Sequence, residues 1–295
     1  MSEAEIRVMP DNDEATEAWN GPLYDRWVEF RDVIVDGIVP HGEAALAANP
    51  PQEGDRALDI GCGLGDTTAR LGALVGSGGN AHGVDVAERM IETATKEQGG
   101  DNVSFSVMDV QYDDFDRTFD YAFARCGTMF FANPVAAMRN VRSALESGGR
   151  LNMVVWRQKP DNDWLHRAEL IAKQYLDEPD YENAEDPTCG PGPFSMAGAD
   201  VTSGILASAG FERIALERCD IPMRFGKSMD RALALVMALG PAGEVLRLAG
   251  EEADELRPRI ESEIREAMSD LVHEDGEIVA PASTWLVSAL NPETS

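Results

Sequence analysis

Three glycines and three acids have the types and spacing to hold a ligand. Ala57-Leu58-Asp59-Ile60 runs straight into Gly61-Cys62-Gly63-Leu64-Gly65-Asp66, a loop with glycine at every second position. The apolar residues before it read as a buried strand and residues 66–76 as a helix, so the glycines occupy a strand-to-helix turn. Glycine leaves room there for a ligand to lie against the backbone and tolerates the positive φ such turns use. The helix that follows aims N–H groups and the positive end of its dipole at the same place. A second strand, Asn80-Ala81-His82-Gly83-Val84-Asp85-Val86, ends in an acid twenty positions after Gly65. Nucleotide-binding α/β folds place a carboxylate there to accept hydrogen bonds from ribose hydroxyls. A third acid, Asp109, closes the strand that begins at Val103.

The spacing also excludes. Gly61, Gly63 and Gly65 spell G-x-G-x-G, whereas the dinucleotide fingerprint carries its third glycine one place later. Asp66 stands where a pyrophosphate would lie and would repel it. NAD, NADP and FAD are disfavoured, and a ligand without phosphates is favoured.

These residues need a scaffold, and the pattern supplies one. Strands at 56–60, 81–85, 103–107, 119–124 and 150–156 alternate with helices at 66–76, 87–98 and 134–146. Alternating βα units predict a mostly parallel sheet with ligands at the carboxyl ends of its strands. That rule puts Arg125, Cys126, Met129, Phe130 and Phe131, past strand four, beside the ligand, and Trp156 and Arg157 on the far wall. Upstream, residues 1–15 are polar, acidic and expected to be mobile. Thr16–Ile38 reads as helix from Trp19, Leu23, Trp27 and Phe30, with a kink at Pro22. Pro40-His41-Gly42 predicts a break before a second short helix at 43–48. Residues 158–199 are loop-rich and acidic, either a cover over the pocket or a flexible spacer, and are read as the cover. A helix at 199–209, a strand at 212–219, a charged helical insertion at 228–272 and a last strand at 284–289 complete the chain. The expected division is 1–50, 51–157, 158–199 and 200–295.

The sequence resembles the class I S-adenosylmethionine-dependent methyltransferases of small-molecule type. Leu58-Asp59-Ile60-Gly61-Cys62-Gly63-Leu64-Gly65-Asp66, Gly83-Val84-Asp85 and Met108-Asp109-Val110 carry the likeness. Phe119-Asp120-Tyr121-Ala122-Phe123-Ala124 is similar to the family's fourth strand, and Leu145-Glu146-Ser147-Gly148-Gly149-Arg150-Leu151 to the turn into its fifth. The likeness covers about residues 50–157 and extends weakly to 220. It implies an α/β fold with a doubly wound, mostly parallel seven-stranded Rossmann-like sheet, an N-terminal helical lid and helical insertions. It also implies S-adenosylmethionine as cofactor and S-adenosylhomocysteine as product. By similarity the glycine loop with Gly61, Cys62, Gly63 and Gly65 carries the methionine part, Asp85 the ribose and Asp109 the adenine amine, and Asp59 before the loop belongs to the same cofactor set. Val86, Met90, Val110 and Arg125 complete the implied cofactor set. Helices before strand one fold over the cofactor in this family, which makes Trp19, Tyr24 and Trp27 lid residues. With Met129, Phe130, Trp156 and Phe194 they form the expected acceptor wall.

A net charge of −28, from 53 acidic against 25 basic residues of which four are lysine, repels nucleic acid phosphates and anionic membranes. It fits a salt-adapted cytosol and an ordinary acidic bacterial protein equally. Strand four also lacks the Asp/Asn-Pro-Pro-Tyr/Phe pattern of nucleic acid amino-methyltransferases. The expected partner is therefore a small-molecule methyl acceptor, with no nucleic acid and no membrane, and the oligomeric state is open between monomer and homodimer. Met1-Ser2-Glu3-Ala4-Glu5-Ile6 has neither a basic n-region nor an apolar h-region, which predicts no signal peptide and a cytoplasmic location. Cys62, Cys126, Cys189 and Cys219 lack metal-ligand spacing, so no metal and no disulfide framework is expected. Arsenite chemistry would need convergent thiols, for which Cys126 and Cys189 are weak support. Arg125 is open to two roles, pairing with a carboxylate on the acceptor or forming a structural ion pair. His41 and His166 are candidate bases, and neither is assigned. The leading reading is methyl transfer to a small organic acceptor. The alternatives are a non-catalytic S-adenosylmethionine-binding regulator and a nicotinamide-dependent oxidoreductase.

Overall fold

A computed structural model describes residues 12–176 and 191–293. The helices are α1 (Asp13–Asn20), α2 (Pro22–Glu29), α3 (Arg31–Ala48), α4 (Asp66–Val75), α5 (Glu88–Gln98) and α6 (Pro134–Ala144), followed by α7 (Asp163–Ala172), α8 (Ala199–Ala209), α9 (Met229–Leu239), α10 (Pro241–Ala249) and α11 (Glu251–Ala267). The strands are β1 (Arg56–Ile60), β2 (Asn80–Asp85), β3 (Val103–Val107), β4 (Phe119–Arg125) and β5 (Leu145–Trp156), then β6 (Glu212–Asp220), β7 (Met223–Arg224), β8 (Val279–Ala280) and β9 (Ser283–Leu290). Seven strands form one sheet in the order β3-β2-β1-β4-β5-β9-β6, with β9 antiparallel to both its neighbours, and β7 and β8 pair as a separate ribbon. The doubly wound, mostly parallel seven-stranded sheet agrees with the expected one.

The central strands are apolar almost throughout because helices cover both faces. On β4, Phe119, Tyr121, Ala122, Phe123 and Ala124 are all fully buried. Tyr121 keeps its hydroxyl satisfied by donating to the Asn49 carbonyl at 2.7 Å and accepting the Asn152 Nδ2–H at 2.9 Å. Register decides the site. Asp59 on β1 pairs across to Gly83 on β2 and Phe123 on β4, Asp85 to Val107, and Arg125 to Val154. The carboxyl ends of four strands are therefore level, and their terminal side chains meet along one edge.

A second apolar core lies beside the sheet. α3, α7, α9, α10 and α11 bury Val33, Trp164, Leu165, Val236, Leu246 and Ile260 together. Among the described residues no single helix is long and apolar enough to cross a membrane.

Three expectations change here. First, the break at Pro40 is absent, and α3 runs through it to Ala48. An interior proline costs about 3 kcal/mol or more, but the turn after it is pinned by tertiary bonds. His41 Nε2 lies 2.9 Å from the Ile221 carbonyl, and its Nδ1 lies 2.9 Å from Thr284 Oγ1. Gly42 packs so closely on Arg125 that a Cβ there would stand 3.0 Å from its Cδ. The upstream segment begins at Asp13 and divides at Gly21 and at Phe30 instead of bending at Pro22 alone. Second, the expected cover at 158–199 contains α7, whose Trp164, Leu165, Ala168 and Ala172 face the helical core. Its residues 177–190, with Cys189, lie outside the described residues, as do residues 1–11 of the expected mobile start. Third, β5 begins at Leu145 through an irregular stretch, and its regular pairing starts at Arg150. The helical insertion at 228–272 is helical as expected.

Candidate functional site

β2 ends on Asp85, which anchors the glycine loop. Its Oδ2 accepts the Gly63 N–H at 3.0 Å and its Oδ1 the Ala87 N–H at 2.9 Å. A carboxylate offers about four acceptor positions, so two remain for the cavity that Asp85 lines. Burial holds this carboxyl above its usual range against the pull of those N–H groups. Gly63 has φ +53 and lines the same cavity, and among the described residues no atom lies within 4 Å of where its Cβ would stand.

β1 brings Asp59 to the same edge, 1% exposed, where it accepts the Thr68 hydroxyl at 2.6 Å. Burial pushes its carboxyl up to about 7, and the charges of Asp66 and Asp85 add to that effect. At the end of β4, Arg125 Nη2 donates to Asp66 Oδ2 at 2.7 Å, while the buried Arg125 Nε has no hydrogen-bond partner among the described residues. Asp109, past β3, accepts the Gln111 backbone N–H at 2.9 Å and the Gln111 Nε2–H at 3.2 Å on Oδ1. Its Oδ2 accepts the Asn12 Nδ2–H at 2.8 Å.

One cavity collects most of the expected cofactor residues. Asp59, Gly61, Cys62 and Gly63 line it from β1 and the loop, and Asp85, Val86 and Met90 from β2 and α5. Asp109, Val110 and Arg125 close the ring. Gly65 does not line it. With φ +83, Gly65 is fixed by packing, because a Cβ there would stand 2.7 Å from the Phe105 ring and 2.9 Å from Ala94 Cβ. Gly65→Ala is accordingly expected to lower the unfolding free energy in urea by about 2–4 kcal/mol, from left-handed strain plus overpacking.

The expected acceptor residues divide. Trp19, Trp27 and Phe130 line the cavity, with Trp19 edge-on to Phe130 at 5.2 Å and to Trp27 at 6.0 Å between ring centroids. α1 and α2 reach it by seating Trp19, Tyr24 and Trp27 on Leu64, Ala87 and Met90. Tyr24 turns away from the cavity. Its hydroxyl bonds Thr93 Oγ1 at 2.8 Å, and the Arg89 guanidinium lies 3.9 Å over its ring. Met129 is 1% exposed, with its sulfur accepting the Trp156 N–H. Trp156 follows strand alternation onto the α3 side, 6.2 Å from the His41 ring. Phe194 lies against the helical core, 5.8 Å from Lys159 Nζ.

His41 is fully buried and outside the cavity. The Ile221 carbonyl can only accept, so Nε2 carries the proton, and burial holds the ring's pKa down. His166 also lies off the cavity. Cys126 lines it at φ +59, its thiol pushed up to about 12 by burial, which makes it a poor thiolate. Among the described residues no cluster of three or more metal-ligating side chains forms. Asn12, Ala15, Ile38 and Thr67 join the wall without a signal in the sequence strong enough to select them, and Met108 joins it beside Asp109.

A family model described as a methyltransferase domain matches residues 51–210, more than half of the chain. An aklanonic acid methyltransferase from a Streptomyces species is 36% identical over 121 residues, 40% of this chain and 55% of its own length. A ubiquinone/menaquinone biosynthesis C-methyltransferase of Teredinibacter turnerae is 29% identical over 154 residues, 50% of this chain and 56% of its own. The chain spans about half the length of these curated relatives. The solved YcgJ protein of Bacillus subtilis superposes with a TM-score of 0.52 at 17% identity, covering 86% of this chain and 98% of that one. At that identity the likeness speaks for the fold alone. Matched sequence, strand order and the acids at the strand ends agree, and the chain belongs to the class I S-adenosylmethionine-dependent methyltransferase family.

Proposed function

We propose that this protein transfers a methyl group from S-adenosylmethionine to a small organic acceptor held beneath α1 and α2. The observation that carries the reading is the convergence of Gly63, Asp85, Asp109 and the Asp66–Arg125 pair on one cavity at the strand ends. These residues fit the cofactor. A buried donor without a partner costs about 1–3 kcal/mol, and the cofactor's α-carboxylate is a natural acceptor for Arg125 Nε. Asp66, already beside Arg125, suits the α-ammonium. Asp85 offers its two open positions to the ribose hydroxyls, and Asp109 receives the adenine amine. The carboxyls of Asp66, Asp85 and Asp109 against one guanidinium favour a ligand of net positive charge and oppose a pyrophosphate.

When bound, S-adenosylmethionine supplies a sulfonium methyl already activated for in-line displacement. The chain's part is positioning and the exclusion of water. Holding the acceptor atom about 3 Å from the methyl is worth roughly 7–11 kcal/mol when aligned. Trp19, Trp27 and Phe130 provide an apolar aromatic wall for a flat acceptor and can stabilise a nearby cation by about 1 kcal/mol each. The names of the curated relatives, aklanonic acid and ubiquinone/menaquinone biosynthesis, support such an acceptor. Arg125, committed to Asp66, serves the cofactor rather than an acceptor carboxylate.

Calorimetric titration with S-adenosylmethionine, S-adenosylhomocysteine and NAD, at low and at molar salt, tests this reading. Micromolar binding of the first two is expected, weakened about tenfold in Arg125→Leu, followed by label transfer from methyl-labelled cofactor to acceptors in a screen. Tight NAD binding with no response to the sulfonium would replace the reading with a nicotinamide enzyme. Unchanged cofactor affinity in Arg125→Leu would remove that residue's role.

A further inference from the structure

Asn12 stands where nothing in the glycine loop or the strand ends calls for it. It is the N-cap residue of α1, yet its side chain makes no capping bond. Its backbone carbonyl instead accepts the Thr16 N–H at 3.0 Å and the Thr16 hydroxyl at 2.9 Å, which fixes the turn. The freed carboxamide reaches across 97 positions of sequence to Asp109 Oδ2 at 2.8 Å. A carboxylate only accepts, so the amide nitrogen must face it and the amide oxygen must point elsewhere. Among the described residues no donor reaches that oxygen. Asn12 lines the cavity together with Ala15 and Trp19, at i, i+3 and i+7 on one face of α1.

A primary aromatic amine presents two N–H groups. Asp109 Oδ2 keeps one acceptor position beside the Asn12 bond, and Asn12 Oδ1 lies on the same carboxamide that donates to it. We propose that Asn12 is a specificity residue for the cofactor's base: its Oδ1 accepts one N–H of the adenine amine while Asp109 accepts the other. The pair forms a donor–acceptor couple satisfied by an exocyclic amine and opposed by a carbonyl at that position. α1 thus roofs the cavity and reads the base through one residue. This rests on the cofactor reading above.

The test compares S-adenosylhomocysteine with S-inosylhomocysteine, which carries a carbonyl in place of the amine, by calorimetry on the full chain. Wild type is expected to favour the adenosine ligand by about 100-fold or more, since a site built to pair an amine rejects its replacement strongly. Asn12→Ala is expected to weaken the adenosine ligand roughly 3- to 10-fold, the worth of one hydrogen bond, and to lower the discrimination ratio by the same factor. Asn12→Asp sets a carboxylate against Asp109 and is expected to weaken it further. An Asn12→Ala chain that loses affinity equally for both ligands would make Asn12 only part of the roof and overturn the proposal. Tighter adenosine binding in Asn12→Ala would make it an internal competitor and overturn it too. Wild type that binds neither ligand would instead overturn the cofactor reading itself.

Discussion

Asp85→Ala is expected to weaken S-adenosylmethionine binding by about 100-fold or more. The carboxylate is placed by two backbone N–H bonds, from Gly63 and Ala87, and leaves two acceptor positions to the cavity. Each hydrogen bond to a charged acceptor is worth about 1.5–3 kcal/mol. Two lost bonds to a ribose diol therefore exceed about 3 kcal/mol before the glycine loop responds. It will respond, because Gly63 loses the acceptor that holds it at φ +53. Affinity is read by calorimetry for the sulfonium and for S-adenosylhomocysteine, and both must fall together, since the ribose is common to them. Retention of affinity within threefold would place the ribose away from β2.

The second large effect is on stability, through Asp59. Burial raises this carboxyl from 3.8 to about 7 in the folded chain. Between about pH 4 and pH 7 the folded state keeps a proton that the unfolded chain has released. Unfolding free energy therefore falls as pH rises across that window and levels off above it. At about 1.4 kcal/mol per pH unit the whole effect is on the order of 4 kcal/mol. Asp59→Asn keeps an oxygen to accept the Thr68 hydroxyl but cannot ionise. The variant should lose this slope and exceed wild type in stability at pH 8. The quantity to measure is the wild-type minus variant difference in urea unfolding free energy from pH 4 to 8. A difference that stays constant would mean that Asp59 keeps its charge on folding.

Much of the scaffold was legible because it follows from local rules. Apolar runs at 56–60 and 119–124, alternating with helical stretches, specify buried parallel strands wherever they lie in a chain. Backbone geometry alone reserves the turn after β1 for glycine. The strand-end acids could be named because parallel strands must end at one edge. Side chains past the strand ends were harder. Phe130 and Trp19 face the cavity, but Trp156 follows the two-residue alternation of β5 toward His41 on α3, off the cavity wall, and Met129 drops into the core. Aromatic spacing on α1 and α2 shows which face is buried, not what it is buried against. Tyr24 therefore packs with its neighbours at the lid yet ends on Thr93 and Arg89.

By itself the sequence determined the order of βα units, the glycine turn and the strand-end acids, because each rests on period or allowed φ within a few residues. Only the tertiary structure decided that α3 passes through Pro40, that Gly65 is packed against Phe105 and Ala94, and that Arg125 is tied to Asp66. It alone brought Asn12 to Asp109. Each of these is settled by atoms distant in sequence that compete for the same space or the same hydrogen bond, and no local pattern carries that information.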